Sequence, residues 1–476
     1  MRALANTILA SASVAALAVT LAATTALAND TYGPFPITEK SYKGDKKNSV
    51  SYSGQIARHV LHDSLKKLAG QGNGKANPEL KAKMMSYFKG EDTGRAIVAP
   101  KTKGTFAVKQ TSIDDISKKK NLAGKTYKGT VAGMPNGMTG IELVEFWIDK
   151  ASEADKGVDM ANGFNYPQLI SKFIMGAVSC NQAVDNYLDE KLNADNKPND
   201  KPYRKGAYYT GKEHAWDEGF GYFGAPAHTL GLSPKNVYDI AKQKDLAAAD
   251  ANKDGKVDLK SEMTFGPAYY AAGFDASVYG KSNSTNYLAT ITKAFLDGRK
   301  LITSAKGEKL TDTQRAELRK HASIVASNWE KVLAEATYKY AGSVYKDMTK
   351  LKTIVDANGD TSKVMKNYIK HWGELKGFSL ALQVGKNNLG ETATRLNRLI
   401  GFGPLLLNSS QVTDIDRKGN YVRDQSIAWG EYMLHMAKVQ KLMVDKFGVK
   451  AKNNVISGDI AALAKQLSAG SGAEND

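Results

Sequence analysis

Cysteine is almost absent from this 476-residue chain, in which Cys180 is the single example. An internal disulfide is therefore excluded. Arginine is scarce as well: of the 66 basic residues, 11 are arginine and 55 are lysine. Nucleic-acid surfaces favour arginine interleaved with aromatic residues, whereas these lysines are scattered along the chain. The formal net charge of +17 therefore indicates solubility or attraction to an anionic envelope surface, and not a nucleic-acid partner.

Long apolar runs are confined to the first 28 residues. Arg2 supplies a positive start, a run of Ala, Val and Leu follows, and Ala26-Leu27-Ala28 has the small-residue pattern of a cleavage site. No later run approaches the roughly 20 residues that span a bilayer. The sequence therefore predicts a signal peptide over 1–28 and an exported, periplasmic protein without a transmembrane segment.

The motifs of two large hydrolase classes are also missing. The sequence has no H-E-x-x-H of the zinc proteases and no G-x-S-x-G nucleophile elbow. Cys180 lies in an apolar helical pattern, which is typical of a buried side chain and not of a catalytic thiol. Little in the sequence therefore favours an enzyme.

Apolar residues recur at helical spacing along most of the chain after an irregular, lysine-rich segment over 29–50. The longest helices are predicted over 166–193 and 314–350. A stretch rich in Gly, Thr and Lys over 90–140 predicts loops with a short hairpin. Long amphipathic helices with few strand signals predict an all-α bundle architecture with a loop-rich N-terminal part. The other predicted helices cover 51–70, 207–223, 234–249, 284–304, 362–385, 390–401, 424–447 and 456–468.

Two parts of the chain share one layout. In each, a long helix leads through a polar loop to a second helix that carries Trp-x-Glu and then Gly-Phe, around Trp216 in the first part and Trp372 in the second. This layout predicts an ancient duplication that produced two related helical bundles. The predicted segments after the signal peptide are 29–50, an irregular start; 51–280, the first helical half; 281–450, the second half; and 451–476, a helix and a disordered tail.

The densest group of reactive side chains begins at His214, in the run H-A-W-D-E-G-F-G-Y-F-G. His214, Asp217 and Glu218 stand at i, i+3 and i+4, spacings that share one helix face. An imidazole and a carboxylate one turn apart can bind iron, zinc or another divalent or ferric ion, with other helices completing the shell. The alternative is an interhelical hydrogen-bond network around which the aromatic residues pack.

A second group of oxygen donors follows at alternate positions. Alternate oxygen ligands around a turn-permitting glycine, here Gly255, are typical of a calcium loop. The final glutamate stands one place beyond the twelfth position of an EF-hand loop, which Ser261 occupies, so the predicted loop is wider than usual. The alternative is a solvated turn rich in Asp and Asn. The candidate ligands are Asp250, Asn252, Asp254, Lys256 through its carbonyl, Asp258 and Glu262.

The run that begins at His214 resembles the signature of an uncharacterised family of exported bacterial proteins, as do Ser53-Gly-Gln-x-x-Arg58, Gly176-Ala177 and His371-Trp372-x-Glu374-x-x-Gly-Phe378. That family is similar to the imelysin-like, iron-regulated periplasmic proteins over residues 50–450. The resemblance implies two helical bundles, a metal site at a G-x-H-x-x-E motif and a link to iron uptake. This chain departs from the motif, because Gly211 stands three residues before His214 and Asp217 takes the place of the glutamate.

The leading hypothesis is therefore a non-catalytic, imelysin-like periplasmic protein that binds metal for iron acquisition or handling. Its ligands would be His214 with Asp217 or Glu218, and His371 and Glu374 are weaker candidates at a related position in the second half. One alternative is a calcium-stabilised envelope protein with a protein partner and no transition metal. Another is a metal-dependent, peptidase-like hydrolase that acts through a metal-bound water.

Overall fold

The fold is seen in a computed structural model that describes residues 30–280, 283–386, 389–425, 427–457 and 459–469. The predicted signal peptide over 1–28 and the last residues of the predicted tail lie outside these ranges. Helix makes up 55% of the structure, and the strands of the described chain form two short antiparallel pairs. The prediction of an all-α protein is confirmed.

Fourteen α-helices and four short strands are numbered in chain order over the described residues. The helices are α1 (Ser53–Ala69), α2 (Pro78–Phe88), α3 (Gly140–Glu153), α4 (Tyr166–Ile174), α5 (Gly211–Phe223), α6 (Pro234–Ala241), α7 (Leu246–Ala249), α8 (Gly266–Asp275), α9 (Tyr287–Ser304), α10 (Asp312–Asp356), α11 (Ser362–Ala381), α12 (Glu391–Ile400), α13 (Trp429–Phe447) and α14 (Ile460–Ala469). The strands are β1 (Val158–Asp159), β2 (Phe164–Asn165), β3 (Ser410–Ile415) and β4 (Tyr421–Gln425). None of the described helices has the length and apolar character needed to cross a membrane.

The 45-residue helix α10 is the central element, and α9, α11 and α13 pack along it. Its start is fixed by a capping box in which Thr311 and Gln314 satisfy each other's backbone amides. Helix α5 lies against α1, α9 and the segment Met175–Tyr187 that continues α4. Helix α11 lies between α4 and α10. The two helices with the Trp-x-Glu pattern are therefore both interior elements.

One spacing is repeated in α5 and α11. Glu218 is followed three residues later by Gly221, and Glu374 is followed three residues later by Gly377. A methyl group at Gly221 would lie 2.9 Å from the Cβ of Gln55 in α1. The absence of a side chain at each glycine lets a neighbouring helix pack directly against the glycine and places one of its polar residues beside the glutamate.

The predicted helix over 166–193 changes character part-way along. Helix α4 continues from Met175 to Tyr187 as π-helical turns, in which each amide bonds to the carbonyl five residues earlier. The helix ends at Tyr187 because Leu188 leaves the helical conformation. The wider turns coincide with a close crossing, since a methyl group at Gly176 would lie 2.5 Å from the Cβ of Ala381 in α11.

Candidate functional site

His214 and Glu218 face each other across one turn of α5, with 3.8 Å between His214 Nε2 and Glu218 Oε1. The helix is fixed by a capping box between Thr210 and Glu213. The imidazole of His214 stacks on Tyr209 at 4.4 Å. Burial lowers the pKa of His214, and the carboxylate of Glu218 only partly opposes this. The imidazole is therefore neutral at physiological pH, which is the form that ligates metals.

Glu218 is held on one side only. Gln55 Nε2 in α1 donates to Glu218 Oε1 at 2.7 Å. Glu218 Oε2 is buried and lacks a well-formed hydrogen bond; the Tyr187 hydroxyl interacts with the carboxylate, and burial together with Glu218 raises the pKa of that phenol. A buried carboxylate oxygen without a partner costs about 1–3 kcal/mol. A bound group that contacts this oxygen would therefore gain more binding free energy here than elsewhere in the site.

Basic side chains surround Glu218. Lys120, Lys125 and Lys191 each interact electrostatically with it, and burial lowers the pKa of all three amines while Glu218 opposes that shift. Arg58 lies beside the same cluster and donates to the carbonyl oxygens of Gly54 and Asn121. Glu91 and Glu190 act on Lys120 and Lys191 as well, so four cations face three carboxylates, and the site carries an excess of positive charge.

Asp217 belongs to a different group of contacts, although it is the neighbour of Glu218 in sequence. Its Oδ1 accepts hydrogen bonds from the Tyr32 hydroxyl and from Arg299 Nε, both at 2.9 Å. Its Oδ2 accepts from the Ser51 amide at 3.0 Å. The carboxylate is fully buried and already satisfied. We therefore leave Asp217 out of the proposed ligand set.

Arg299 is the centre of this second group, which sequence reasoning missed. Besides Asp217, its guanidinium donates to Glu213 Oε1 at 3.1 Å and to the Ser49 hydroxyl at 2.6 Å, and it lies over the ring of Phe35 at 4.6 Å. The group ties the irregular N-terminal segment to α5 and α9. The capping pattern from Thr210 to Glu213 was readable in the sequence, but the arginine that pairs with Glu213 lies 86 residues further on.

In the predicted calcium loop, carboxylate side chains accept hydrogen bonds from backbone amides of the same loop. Asp250 accepts hydrogen bonds from the amides of Asp254 (3.1 Å) and Gly255 (2.8 Å). Both oxygens of Glu262 are used in the same way, by Asn252 at 3.3 Å and Asp258 at 2.7 Å. The wider position of Glu262 therefore still closes the loop, in which Gly255 adopts a φ of +80°.

Two features outside the loop fix it to the protein. Val257 forms a parallel bridge with Val108, so the loop is paired to a neighbouring strand-like segment. Lys109 Nζ, from the same segment, lies 3.4 Å from Asp254 Oδ2 and 4.0 Å from Asp258 Oδ2. An ammonium group therefore lies close to the carboxylates that a calcium ion would use.

The two weaker candidates of the second half are engaged with separate partners. His371 Nδ1 lies 2.6 Å from Asp347 Oδ2 on α10. Glu374 Oε1 lies 4.0 Å from Lys172 Nζ on α4. Across the part of the chain that the structure describes, no three His, Cys, Asp or Glu side chains form a group that could hold a metal ion. A metal bound by the described residues would need ligands from elsewhere.

Comparison with known families gives one result. The model of a domain of unknown function, DUF4856, matches residues 38–351, which is well over half of the chain. The chain belongs to the DUF4856 family. No curated protein and no solved structure matches it. The DUF4856 match includes His214, Glu218 and the 250–262 loop, and ends before Glu374. The expectation of an uncharacterised family is confirmed, and the similarity to imelysin-like proteins stays a prediction.

Proposed function

We propose that this DUF4856 protein is an exported, periplasmic and non-catalytic binding protein that takes up iron as an anionic complex at His214 and Glu218. The observation that carries the proposal is the pairing of a neutral imidazole with a half-satisfied carboxylate, 3.8 Å apart, inside a cluster of cations. The choice of iron rests on the resemblance to imelysin-like proteins.

The charge of the site favours a complex over a bare ion. His214 and Glu218 offer two ligands, whereas ferric and divalent ions take four to six. Arg58, Lys120 and Lys191 would repel an unaccompanied cation, because charges near a protein surface still interact by several kcal/mol at close range. A polycarboxylate such as citrate would supply the missing oxygen ligands and would neutralise these cations.

The test is iron binding with the anion present and absent. The mature protein, mixed with ferric citrate and passed through a desalting column, is expected to retain about one iron per chain. His214→Ala and Glu218→Gln are each expected to weaken this binding about tenfold or more, as changes around metal ligands commonly do. Zinc chloride, which brings no anionic chelator, is expected to bind more weakly than ferric citrate.

His321 and Glu317 provide a matched control, since they form an i, i+4 pair with the same 3.8 Å separation on the surface of α10. His321→Ala should leave iron retention unchanged. Iron retention that survives both His214→Ala and Glu218→Gln would overturn the assigned site. Zinc binding as tight as ferric citrate binding would overturn the requirement for an anion.

A second candidate function is that of a calcium-stabilised envelope protein, and the bridge between Val108 and Val257 favours it. That bridge fixes one side of the 250–262 loop against the neighbouring segment. Extracellular calcium modules have dissociation constants of about 10⁻⁴–10⁻³ M. In this function Lys109 would act as an internal competitor for the ion, because its ammonium lies beside Asp254 and Asp258.

Calcium at ten times its dissociation constant is expected to raise the free energy of unfolding by about 1.4 kcal/mol. Urea unfolding with calcium or magnesium at equal ionic strength measures this gain. Asp250→Ala should abolish it, and Lys109→Met should increase calcium affinity because the competing amine is gone. A gain that is equal with magnesium, or that persists in Asp250→Ala, would refute the calcium loop.

A further inference from the structure

Lys172 and Glu374 form a second buried polar centre where α4 crosses α11. Their side chains are 4% and 7% exposed, and Lys172 Nζ lies 4.0 Å from Glu374 Oε1, beyond hydrogen-bond distance. Glu374 Oε2 is buried and has no hydrogen-bond partner. The ion pair is therefore a long one, and the second oxygen of Glu374 remains available to accept a hydrogen bond from a bound group.

The crossing itself explains why these two groups meet. A methyl group at Gly377 would lie 2.6 Å from the Cβ of Lys172. The glycine therefore brings α4 to backbone contact with α11, and Lys172 stands beside Glu374 as Gln55 stands beside Glu218. The two centres differ in the residue beside the glycine, which is the uncharged Gln55 next to Glu218 and the cation Lys172 next to Glu374.

Four further lysines surround this centre, and two of them are exposed. Lys66 lies close enough to Lys172 to lower, together with burial, the pKa of that amine. Lys339 is buried, and Lys370 is exposed; both interact electrostatically with Glu374. Lys242 stands at the exposed rim and acts on Lys172 as well.

Negative charge near the centre is scarce by comparison. The carboxyl of Asp63 interacts with Lys66 and Lys172, and burial raises its pKa to about 6. Asp347 is paired with His371. The lysines around the centre therefore outnumber the carboxylates that face them. Such an arrangement attracts and retains a small anion.

The inner wall is aromatic. Lys172 Nζ lies 5.3 Å from the ring centre of Tyr270, and Lys339 Nζ lies 3.7 Å from that of Tyr340. The hydroxyls of Tyr270 and Tyr340 are hydrogen-bonded to each other at 3.3 Å, so one of the two keeps a proton that it can donate to a bound group. Both amines are therefore held against aromatic rings.

We propose that this centre is a second binding site, separate from the iron site, and that it takes a small oxyanion that also carries an O–H group, namely hydrogen phosphate. The ammonium groups of Lys172 and Lys339 would bind its anionic oxygens. The free oxygen of Glu374 would accept its O–H, which a fully ionised anion lacks. The inference rests on the Glu374 centre alone and does not depend on the proposed function.

The test compares inorganic phosphate with sulfate by titration calorimetry of the mature protein near pH 7. Phosphate is expected to bind at least about tenfold more tightly than sulfate, because only hydrogen phosphate can donate to Glu374, and a hydrogen bond to a charged group has that effect. Glu374→Gln should reduce this preference. Lys172→Met and, independently, Lys339→Met should weaken the binding of both anions about tenfold or more.

Three results would overturn the proposal: no phosphate binding to the wild-type protein, equal affinity for sulfate, or phosphate binding that survives both lysine substitutions in folded variants. Glycerol 3-phosphate binding more tightly than inorganic phosphate would show that the ligand is an ester and not the free ion. His214→Ala should leave phosphate binding unchanged, so failure at one site is distinguishable from failure at the other. Lys293→Met, at an exposed pair with Asp297, serves as the surface control.

Discussion

Arg299→Met is expected to lower the free energy of unfolding by about 3–5 kcal/mol. The guanidinium is fully buried and neutralises two fully buried carboxylates, Glu213 and Asp217. Removing it leaves both acids without a counter-charge in the interior, which costs far more than the lost attraction between exposed ions. Urea unfolding at neutral pH, followed by circular dichroism, measures the difference from the wild-type protein.

The matched control is Lys293→Met on the same helix. Lys293 pairs with Asp297 at 2.6 Å, but its side chain is 67% exposed. Such surface pairs contribute up to about 1 kcal/mol. If Arg299→Met destabilised the protein no more than Lys293→Met does, the network of Arg299, Glu213 and Asp217 would not be the anchor of the N-terminal segment.

Acidification is expected to destabilise the protein through His59. Its ring is buried, Nε2 donates to the backbone oxygens of Gly221 and Tyr222 at 3.1 and 3.0 Å, and burial lowers the pKa of His59 from 6.5 to about 4. His59 is therefore protonated below about pH 6.5 in the unfolded chain, but only below about pH 4 in the folded protein. The stability present at pH 7 is lost as the pH falls through this window, by about 2 kcal/mol at pH 5.

The measurement is urea unfolding at pH 7 and pH 5 for the wild-type protein and for His59→Gln, which has no titrating group at this position. The comparison between the two proteins is needed because Asp63, whose pKa burial raises to about 6, acts in the opposite direction. The loss between the two pH values should be about 2 kcal/mol smaller in His59→Gln. Equal losses would show that His59 does not carry the effect.

The long helices could be predicted because their apolar faces recur over many turns, as in α10, whose capping residue Thr311 was also readable. Short elements were less predictable. The hairpin expected over 90–140 is replaced there by loops with isolated bridges, and a true hairpin lies at β3 and β4. The helix expected over 234–249 is broken, because the side chain of Asp245 caps a new helix, α7. Helices α2 and α8 were not predicted.

The candidate site was predictable only where its residues share one helix. His214 and Glu218 are one turn apart, so sequence spacing sufficed. The same spacing placed Asp217 with them, and its contact with Arg299, 82 residues away, follows from the packing of α9 on α5. The cations around Glu218 come from loops and helices that no local pattern connects.

At Gly221 and Gly377, the packing of the helices and the charge of the buried centre depend on different residues. Each glutamate is held by the helix that carries its glycine, whereas the residue that faces the glutamate, Gln55 or Lys172, belongs to another helix. A substitution at the facing position changes the charge of the centre and leaves the glycine contact as it is. Each centre can therefore change its ligand preference through a single substitution, while the helix crossing that supports it stays intact.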